Sequence, residues 1–189
     1  MIYYIVFILS VLVALGAGVR AGVSDFRGLV IPNICHVIIV GAFFPAAAAV
    51  YFSHIHMRGM GHLGTHFIVA AVMLVITFAM FWLKIFGGAD AKMLSAYSLW
   101  VGLKGVTAML FYMAISGGVL AVAALIIARA KPFKNLREGS WLAQLQSGKS
   151  RIPYGIPIVI GAFSAFYYLG FLNLSLPGEF AEAVSRGGS

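Results

Sequence analysis

The chain has 189 residues, of which 62% are hydrophobic and only 10% are charged, and its mean hydropathy is +1.00. This composition excludes a soluble globular domain and is typical of a protein with several membrane-spanning helices. The net charge of +8 does not indicate nucleic-acid binding, because the basic residues fall in loops between apolar runs. The single cysteine, Cys35, excludes an internal disulfide and a cysteine-rich metal site.

The apolar segments, taken in chain order, predict an all-α membrane protein with six transmembrane helices in one membrane-embedded domain, residues 1–189. The predicted spans cover about residues 2–19, 31–52, 66–85, 91–103, 106–127 and 152–174. The first is interpreted as a retained span and not a cleaved signal peptide, because no positive charge precedes it. The fourth is short, since about 13 residues extend roughly 20 Å against a hydrocarbon core of roughly 30 Å.

The distribution of Lys and Arg favours six crossings and predicts the orientation. If all six segments cross, the first, third and fifth loops share one side and hold ten of the thirteen basic residues: Arg20, Arg27, Lys84, Lys92, Arg129, Lys131, Lys134, Arg137, Lys149 and Arg151. The other side holds Arg58, Lys104 and Arg186. The positive-inside rule then places the more basic side in the cytoplasm and both termini outside.

Polar segments between and within the spans carry further predictions. In the basic cytoplasmic loop, residues 129–151, the spacing of Trp141, Leu142 and Leu145 predicts a short interfacial helix. His36, in the second span, is predicted to form a hydrogen bond between helices. The histidines of the opposite side favour interfacial hydrogen bonds over a metal site; they are His54, His56, His62 and His66. The tail after Pro177 is predicted to be polar.

Asp25 and Asp90 are the only aspartates of the chain, and each lies in a polar motif at the end of an apolar segment. The motifs are S-D-F-R-G-L-V-I-P-N, from Ser24 to Asn33, and G-G-A-D-A-K, from Gly87 to Lys92. An ionised carboxylate at the centre of a membrane helix costs roughly 2.5–3.5 kcal/mol, so acids in such a chain are candidates for function. The charge distribution places both on the cytoplasmic side, which is compatible with one shared site.

Two carboxyl groups at a partly desolvated membrane edge provide the chemistry of an aspartyl protease. Like charges held close together do not both ionise readily, so the pair shares a proton. The ionised carboxylate takes a proton from water as general base, and the protonated carboxyl polarises a peptide carbonyl as general acid. The sequence contains no G-x-S-x-G, H-E-x-x-H or P-loop motif. The simpler alternative is that the two acids cap helices, or pair with Arg27 and Lys92.

Three motifs of the chain, in order, resemble those of the type IV prepilin peptidase family. D-F-R-G-L-V-I-P-N resembles the first aspartate motif, with Arg27, Pro32 and Asn33 as its supporting residues. G-G-A-D-A-K-M-L resembles the G-x-G-D motif, supported by Gly87, Gly88 and Lys92. I-P-Y-G-I-P resembles the Pro-Tyr-Gly segment, here Pro153, Tyr154 and Gly155.

Two departures from the family pattern carry information. Ala89 stands where the family motif has Gly, which puts the local backbone geometry in question but not the chemistry. The chain also lacks the N-terminal insertion with paired C-x-x-C motifs that the larger, bifunctional members carry. It therefore resembles the short form, such as that of tight-adherence (Flp) pilus systems, for which methyltransferase activity is not expected.

The resemblance implies a membrane aspartyl endopeptidase with Asp25 and Asp90 as catalytic residues and no metal or other cofactor. Its implied substrates are prepilin-like proteins, whose basic leader is removed at the cytoplasmic face of the bacterial inner membrane. Membrane lipid and a pilus or secretion assembly are the other implied partners. Three further hypotheses stay open: a presenilin-like intramembrane protease, a small transporter with an aspartate proton relay, and a non-catalytic assembly scaffold. The position of both acids at segment ends favours cleavage at the membrane edge.

Overall fold

The computed structural model describes residues 1–57, 59–133, 136, 140–148 and 152–187. These residues form seven helices: α1 (Ile2–Gly28), α2 (Asn33–Ser53), α3 (Leu63–Trp82), α4 (Gly88–Ala130), α5 (Trp141–Gln146), α6 (Gly155–Tyr168) and α7 (Leu176–Gly187). Helices α1 to α4 are each long and apolar enough to cross a membrane. The described residues contain no strand, so the prediction of an all-α membrane protein is confirmed for them.

Helix α1 is longer than the first predicted span and includes Asp25. The predicted end of the first span at about residue 19 is wrong, because the chain stays helical as far as Gly28. There Leu29 adopts the left-handed conformation (φ 56°), and its N–H donates to the carbonyl of Asp25 at 2.7 Å. The first strong helix breaker is Pro32, whose ring disfavours a helical conformation at the residue before it. Polarity alone does not end a helix, and the predicted boundary relied on polarity.

Helix α4 consists of two halves that meet at Gly102, which has non-helical dihedral angles of φ 54° and ψ −162°. The first half runs in the same direction as α6. Phe86, just before α4, packs against Tyr154, just before α6, with 5.3 Å between the ring centroids. Farther along both helices, Trp100 packs against Phe166, also at 5.3 Å.

The second half of α4 runs in the opposite direction along α6. Gly105 lies against Leu169 at the end of α6, whereas Gly117 lies against Pro157 near its beginning. The chain therefore reverses close to Gly102. The two halves correspond to the fourth and fifth predicted spans, and a single glycine makes the turn instead of the loop predicted after residue 103.

The first half of α4 forms the centre of the bundle, and every residue from Met93 to Gly102 is buried. Tyr97 donates its hydroxyl hydrogen to the Ala14 carbonyl of α1 at 2.8 Å, and Trp100 Nε1–H donates to the Ile39 carbonyl of α2 at 2.8 Å. These bonds satisfy the polar atoms of two large buried side chains. Since other helices enclose this half, its shortness does not have to match the thickness of the lipid.

His66 of α3 completes the end of this central half-helix. Its Nδ1 lies 2.8 Å from the carbonyl oxygen of Leu99. Carbonyl groups in the last turn of a helix lack intrahelical partners, so a side chain from another helix can take their place. His66 therefore makes its hydrogen bond in the buried contact between α3 and α4, and hydrogen bonding of the histidines at the membrane interface stays a prediction. His62 immediately precedes α3 and is not helical, so the two residues do not form a helical i, i+4 pair.

The predicted helix around Trp141 is confirmed as α5, and it packs against the bundle. Trp141 is only 2% exposed, and its ring lies 5.2 Å from that of Phe26 in α1. Five residues of the charge prediction lie outside the described residues: Arg58, Lys134, Arg137, Lys149 and Arg151.

Other boundaries also differ from the prediction. Helix α3 covers residues 63–82, which is the predicted length shifted by three residues towards the N-terminus. Helix α6 begins at Gly155 and ends at Tyr168, so it is shorter than predicted. Residues 176–187 form α7, and Phe180 of this helix is buried against Phe7 of α1. The tail predicted to be polar therefore carries its charged residues, among them Glu179, Glu182 and Arg186, on a helix that also buries an aromatic side chain.

The bundle has two ends with different charge. At one end α1 finishes, α2, α4 and α6 begin, and α5 packs; the described basic residues there are Arg27, Lys84, Lys92, Arg129 and Lys131. At the other end α2 finishes and α7 packs against α1, and the described basic residues are Lys104 and Arg186. Both aspartates belong to the more basic end.

Candidate active site

Asp25 and Asp90 line one cavity at the basic end of the bundle, with a volume of about 720 Å³. Apolar and aromatic side chains form much of its wall, including Leu29, Phe86 and Tyr154. Two acidic groups on the wall of one cavity disfavour each other's ionisation. The structure thus brings together the two residues predicted to be catalytic, from helices that are far apart in sequence.

Asp25 is held at the beginning of α6. Its side chain is 6% exposed, and its Oδ2 accepts a hydrogen bond from the N–H of Gly155 at 2.8 Å. Gly155 is the first residue of α6, and the N–H groups of a first turn have no intrahelical acceptor. The positive end of the helix dipole also favours a negative charge at this place. A Cβ on Gly155 would lie 3.0 Å from Oδ2, so a larger residue there would require the Asp25 side chain to move by a few tenths of an ångström.

Tyr154 lines the cavity that Asp25 lines, and Pro153 lies directly before it in the chain. Pro153 is buried, and Tyr154 lines the cavity while its ring packs against Phe86. Phe86 directly precedes Gly87, where the second aspartate motif begins. The aromatic contact therefore joins the approach to α6 with the approach to α4, and it was not predicted from the sequence.

Asp90 lies in the first turn of α4, so the prediction of a loop before a helix at residue 91 is wrong. A Cβ on Gly87 would lie 2.5 Å from Oδ2 of Asp90, and a Cβ on Gly88 would lie 3.2 Å from the ring of Phe81. Both glycines have negative φ, so their contribution is space and not an unusual backbone conformation. Oδ1 of Asp90 is buried and has no hydrogen-bond partner among the described residues.

Ala89 fits its position without strain, although the family motif has glycine there. It lies within α4 and does not have a positive φ. Its carbonyl oxygen lies 3.0 Å from Nε2 of His36 in α2. The predicted interhelical hydrogen bond of His36 is therefore confirmed, and its partner is the residue next to Asp90.

The predicted basic partners do not pair with the aspartates. Within the described part of the chain, neither Arg27 and Asp25 nor Lys92 and Asp90 form a salt bridge, so the pairing is wrong. The capping that was its alternative is seen for Asp25, which accepts from the first N–H of α6. Arg27 lines a separate apolar groove between α1 and α6. Lys92 donates from Nζ to Oδ1 of Asn33 at 3.4 Å.

Pro32 lies between the helix that carries Asp25 and α2. Pro32 directly precedes α2 and is extended (φ −63°, ψ 133°), so it shapes the short connection from α1 to α2. Across the described ranges, no group of three His, Cys, Asp or Glu side chains converges on a point that could hold a metal ion.

Comparison with known families supports the resemblance that the motifs suggested. A model described as the type IV leader peptidase family matches residues 6–122, which is more than half of the chain and includes Asp25 and Asp90. No curated protein and no solved structure matches the chain. The chain belongs to the type IV leader peptidase family.

Proposed function

We propose that the protein is a membrane aspartyl endopeptidase that removes the basic leader of prepilin-like proteins, with Asp25 and Asp90 as its catalytic residues. The observation that carries the proposal is the cavity that both acids line in a chain of the leader peptidase family. The substrate in this proposal has a basic leader followed directly by an apolar helix. Since the cavity lies at the end of the bundle, the scissile bond sits at the membrane edge.

In the proposed reaction Asp25 is the ionised carboxylate. Its hydrogen bond from Gly155 N–H and its place at the start of α6 favour the negative charge. Asp25 takes a proton from a water molecule while the water oxygen attacks the carbonyl carbon of the scissile peptide bond. No covalent bond forms between the enzyme and the substrate.

Asp90 is the protonated carboxyl in this reaction. Asp90 lines the cavity, so its carboxyl group is within reach of a substrate carbonyl bound there, and its Oδ1 has no hydrogen-bond partner in the described chain. Asp90 gives its proton to the oxygen of that carbonyl as the tetrahedral intermediate forms, and takes it back as the intermediate collapses. The proton held by Asp25 passes to the leaving nitrogen, so the products are a leader with a new carboxylate and a pilin with a new amine.

The proposed topology has six spans with both termini outside and the aspartates at the cytoplasmic face of the bacterial inner membrane. Two observations support it: the reversal of α4 at Gly102, which supplies the extra crossing, and the excess of described basic residues at the aspartate end. In this orientation the leader, still in the cytoplasm, lies on the same side as the cavity. The apolar helix of the substrate lies in the bilayer.

The test is cleavage of a prepilin-like peptide by purified full-length protein in lipid. We expect leader removal by the wild type and none by Asp25→Asn or Asp90→Asn, because an amide can neither accept nor supply the required proton. Glu182→Gln is the matched control, since this exposed acid of α7 lies at the opposite end and should process normally. Thermal unfolding of each variant shows whether it is folded.

Leader removal by Asp25→Asn at the wild-type rate contradicts the two-aspartate mechanism. If the wild type cleaves within the apolar helix instead of before it, the presenilin-like hypothesis replaces this one. Ion flux without proteolysis favours the transporter, and neither activity favours the scaffold. Sequencing the new N-terminus of the product distinguishes the two cleavage positions.

A further inference from the structure

His36 is a polar residue buried at a position where its burial is unfavourable for folding. It lies in the second turn of α2, is 7% exposed, and has the buried apolar neighbours Cys35 and Ile39 on the same helix. A polar ring buried in an apolar bundle destabilises the fold unless hydrogen bonds compensate it. His36 compensates this cost through its bond to the Ala89 carbonyl, and the backbone of Asn33 also interacts with the ring.

The geometry of that bond defines the role of the ring. A carbonyl oxygen can only accept, so Nε2 must carry the hydrogen that is donated to Ala89. The carbonyl belongs to the peptide unit that joins Ala89 to Asp90. Because that peptide unit is rigid and planar, fixing its oxygen also fixes the direction in which the backbone enters Asp90.

A second polar contact ties the same turn of α4 to the same face of α2. Lys92 donates to Asn33, three residues before His36, and residues three apart lie on one side of a helix. Helix α2 is in turn connected to the end of α1, which carries Asp25, by only four residues, 29–32. Through α2, therefore, the position of the Asp90 turn is defined relative to the helix of the other aspartate.

We propose that His36 is a positioning residue for catalysis: through the Ala89 carbonyl it holds the first turn of α4 so that the Asp90 carboxyl faces Asp25 across the cavity. This inference rests on the proposed peptidase function. His36 itself does not line the cavity and touches neither carboxyl group, so it acts through the backbone of Ala89.

His66 provides a matched control, since it makes the same kind of contact at the opposite end of the central half-helix. It is buried, and its ring bonds to the Leu99 carbonyl of α4 at 2.8 Å. Replacing either histidine by Leu removes one buried ring and one bond to a carbonyl of α4. Only the His36 variant, however, changes the turn that carries Asp90.

The experiment measures cleavage of a synthetic peptide with a Lys/Arg-rich leader, a Gly and an apolar helix, by full-length variants in lipid. We expect His36→Leu to lower kcat per folded molecule by about 10-fold or more, with KM within about twofold. The reason is that a small displacement of a catalytic group lowers the rate of the chemical step strongly. His36→Gln, which keeps a donor, should recover much of the loss. His66→Leu should lower the unfolding temperature but leave kcat within about twofold.

A second readout does not depend on proteolysis. The infrared C=O stretch of the Asp90 carboxylic acid at acidic pH, identified by its loss in Asp90→Asn, reports the surroundings of that group. The chain has only five acidic side chains, which keeps this spectral region sparse. His36→Leu should shift the band, whereas His66→Leu should not. If His36→Leu does not fold, His36→Met provides the donor-free variant with a more adaptable side chain.

The outcomes separate the two proposals. If the wild type cleaves nothing, the peptidase function is refuted. If His36→Leu nevertheless shifts the Asp90 band, the positioning of the Asp90 turn by His36 is supported. An unchanged band, an unchanged kcat, or equal losses of kcat in the His36 and His66 variants overturns the positioning role.

Discussion

At Gly87 the candidate site depends on the absence of a side chain. A Cβ there would lie 2.5 Å from Oδ2 of Asp90, closer than real Cβ contacts, so the carboxyl would have to move. We expect Gly87→Ala to lower kcat by about 10- to 100-fold, because a catalytic group displaced by about 1 Å can cost that much. The measurement is leader removal per folded molecule, because Gly87 is also the N-cap of α4 and alanine is a less favourable N-cap than glycine.

Gly118→Ala is the control for this variant. Gly118 lies in the same helix α4, and a Cβ there would meet no atom within 4 Å. Alanine in the interior of a helix is more favourable than glycine by up to about 1 kcal/mol, so this variant should be as stable as the wild type or more so, with unchanged cleavage. Cleavage by Gly87→Ala at the rate of Gly118→Ala would mean that the carboxyl does not need its observed position.

The identity of the catalytic pair was predictable at the residue scale, but its surroundings were not. Asp25 and Asp90 are conspicuous because they are the only aspartates in an apolar chain. The bond from Gly155 to Asp25 joins residues 130 positions apart, and no local pattern indicates such a contact. His36 was recognisable as a polar residue between helices, but its partner depends on how α2 packs against α4.

Among the helices, α4 depends on one backbone conformation for its reversal. Gly102 has φ 54° and ψ −162°, a combination that is essentially restricted to glycine, and a Cβ there would lie 2.9 Å from the ring of His66. We expect Gly102→Ala to destabilise the fold by about 1–3 kcal/mol from the backbone alone, and by more if the ring is displaced. The measurement is the thermal unfolding midpoint in detergent.

Gly41→Ala in α2 is the matched variant for the reversal, because its Cβ would meet nothing within 4 Å and its backbone is helical. It should unfold at the wild-type temperature or above. An equal midpoint for Gly102→Ala and Gly41→Ala would show that the two halves of α4 can meet without the observed turn.

Helix boundaries were less predictable than helix order. Apolar runs identified every long helix, because a bilayer requires about 20 apolar residues per crossing. The prediction failed where polar residues stay helical, at residues 20–28 and 88–90. After α1 the residue that disfavours further helix is Pro32, whereas the charge of Asp25 does not end the helix. The sequence pattern also does not predict that residues 93–102 are buried on all sides, because a uniformly apolar helix can face either lipid or protein.

At the scale of the whole molecule, the asymmetry between the two ends carries the functional argument. The cavity, both aspartates and α5 lie at one end, and α7 packs at the other. The sequence anticipated that Asp25 and Asp90 share a side, because the polar segments that contain them both carry basic residues. Which side of the membrane that end faces decides whether a leader that has not crossed the membrane can reach the cavity.

Single-cysteine labelling tests this orientation. In a Cys35→Ala background, Gly28→Cys marks the aspartate end and Gly61→Cys the other; both positions are exposed, and a Cβ at either meets nothing within 4 Å. We expect a membrane-impermeant maleimide to label Gly61→Cys in intact cells and Gly28→Cys only after permeabilisation, because the positive-inside rule places the basic end in the cytoplasm. Labelling after denaturation controls for expression. Labelling of Gly28→Cys in intact cells would put the cavity outside, where a cytoplasmic leader cannot reach it.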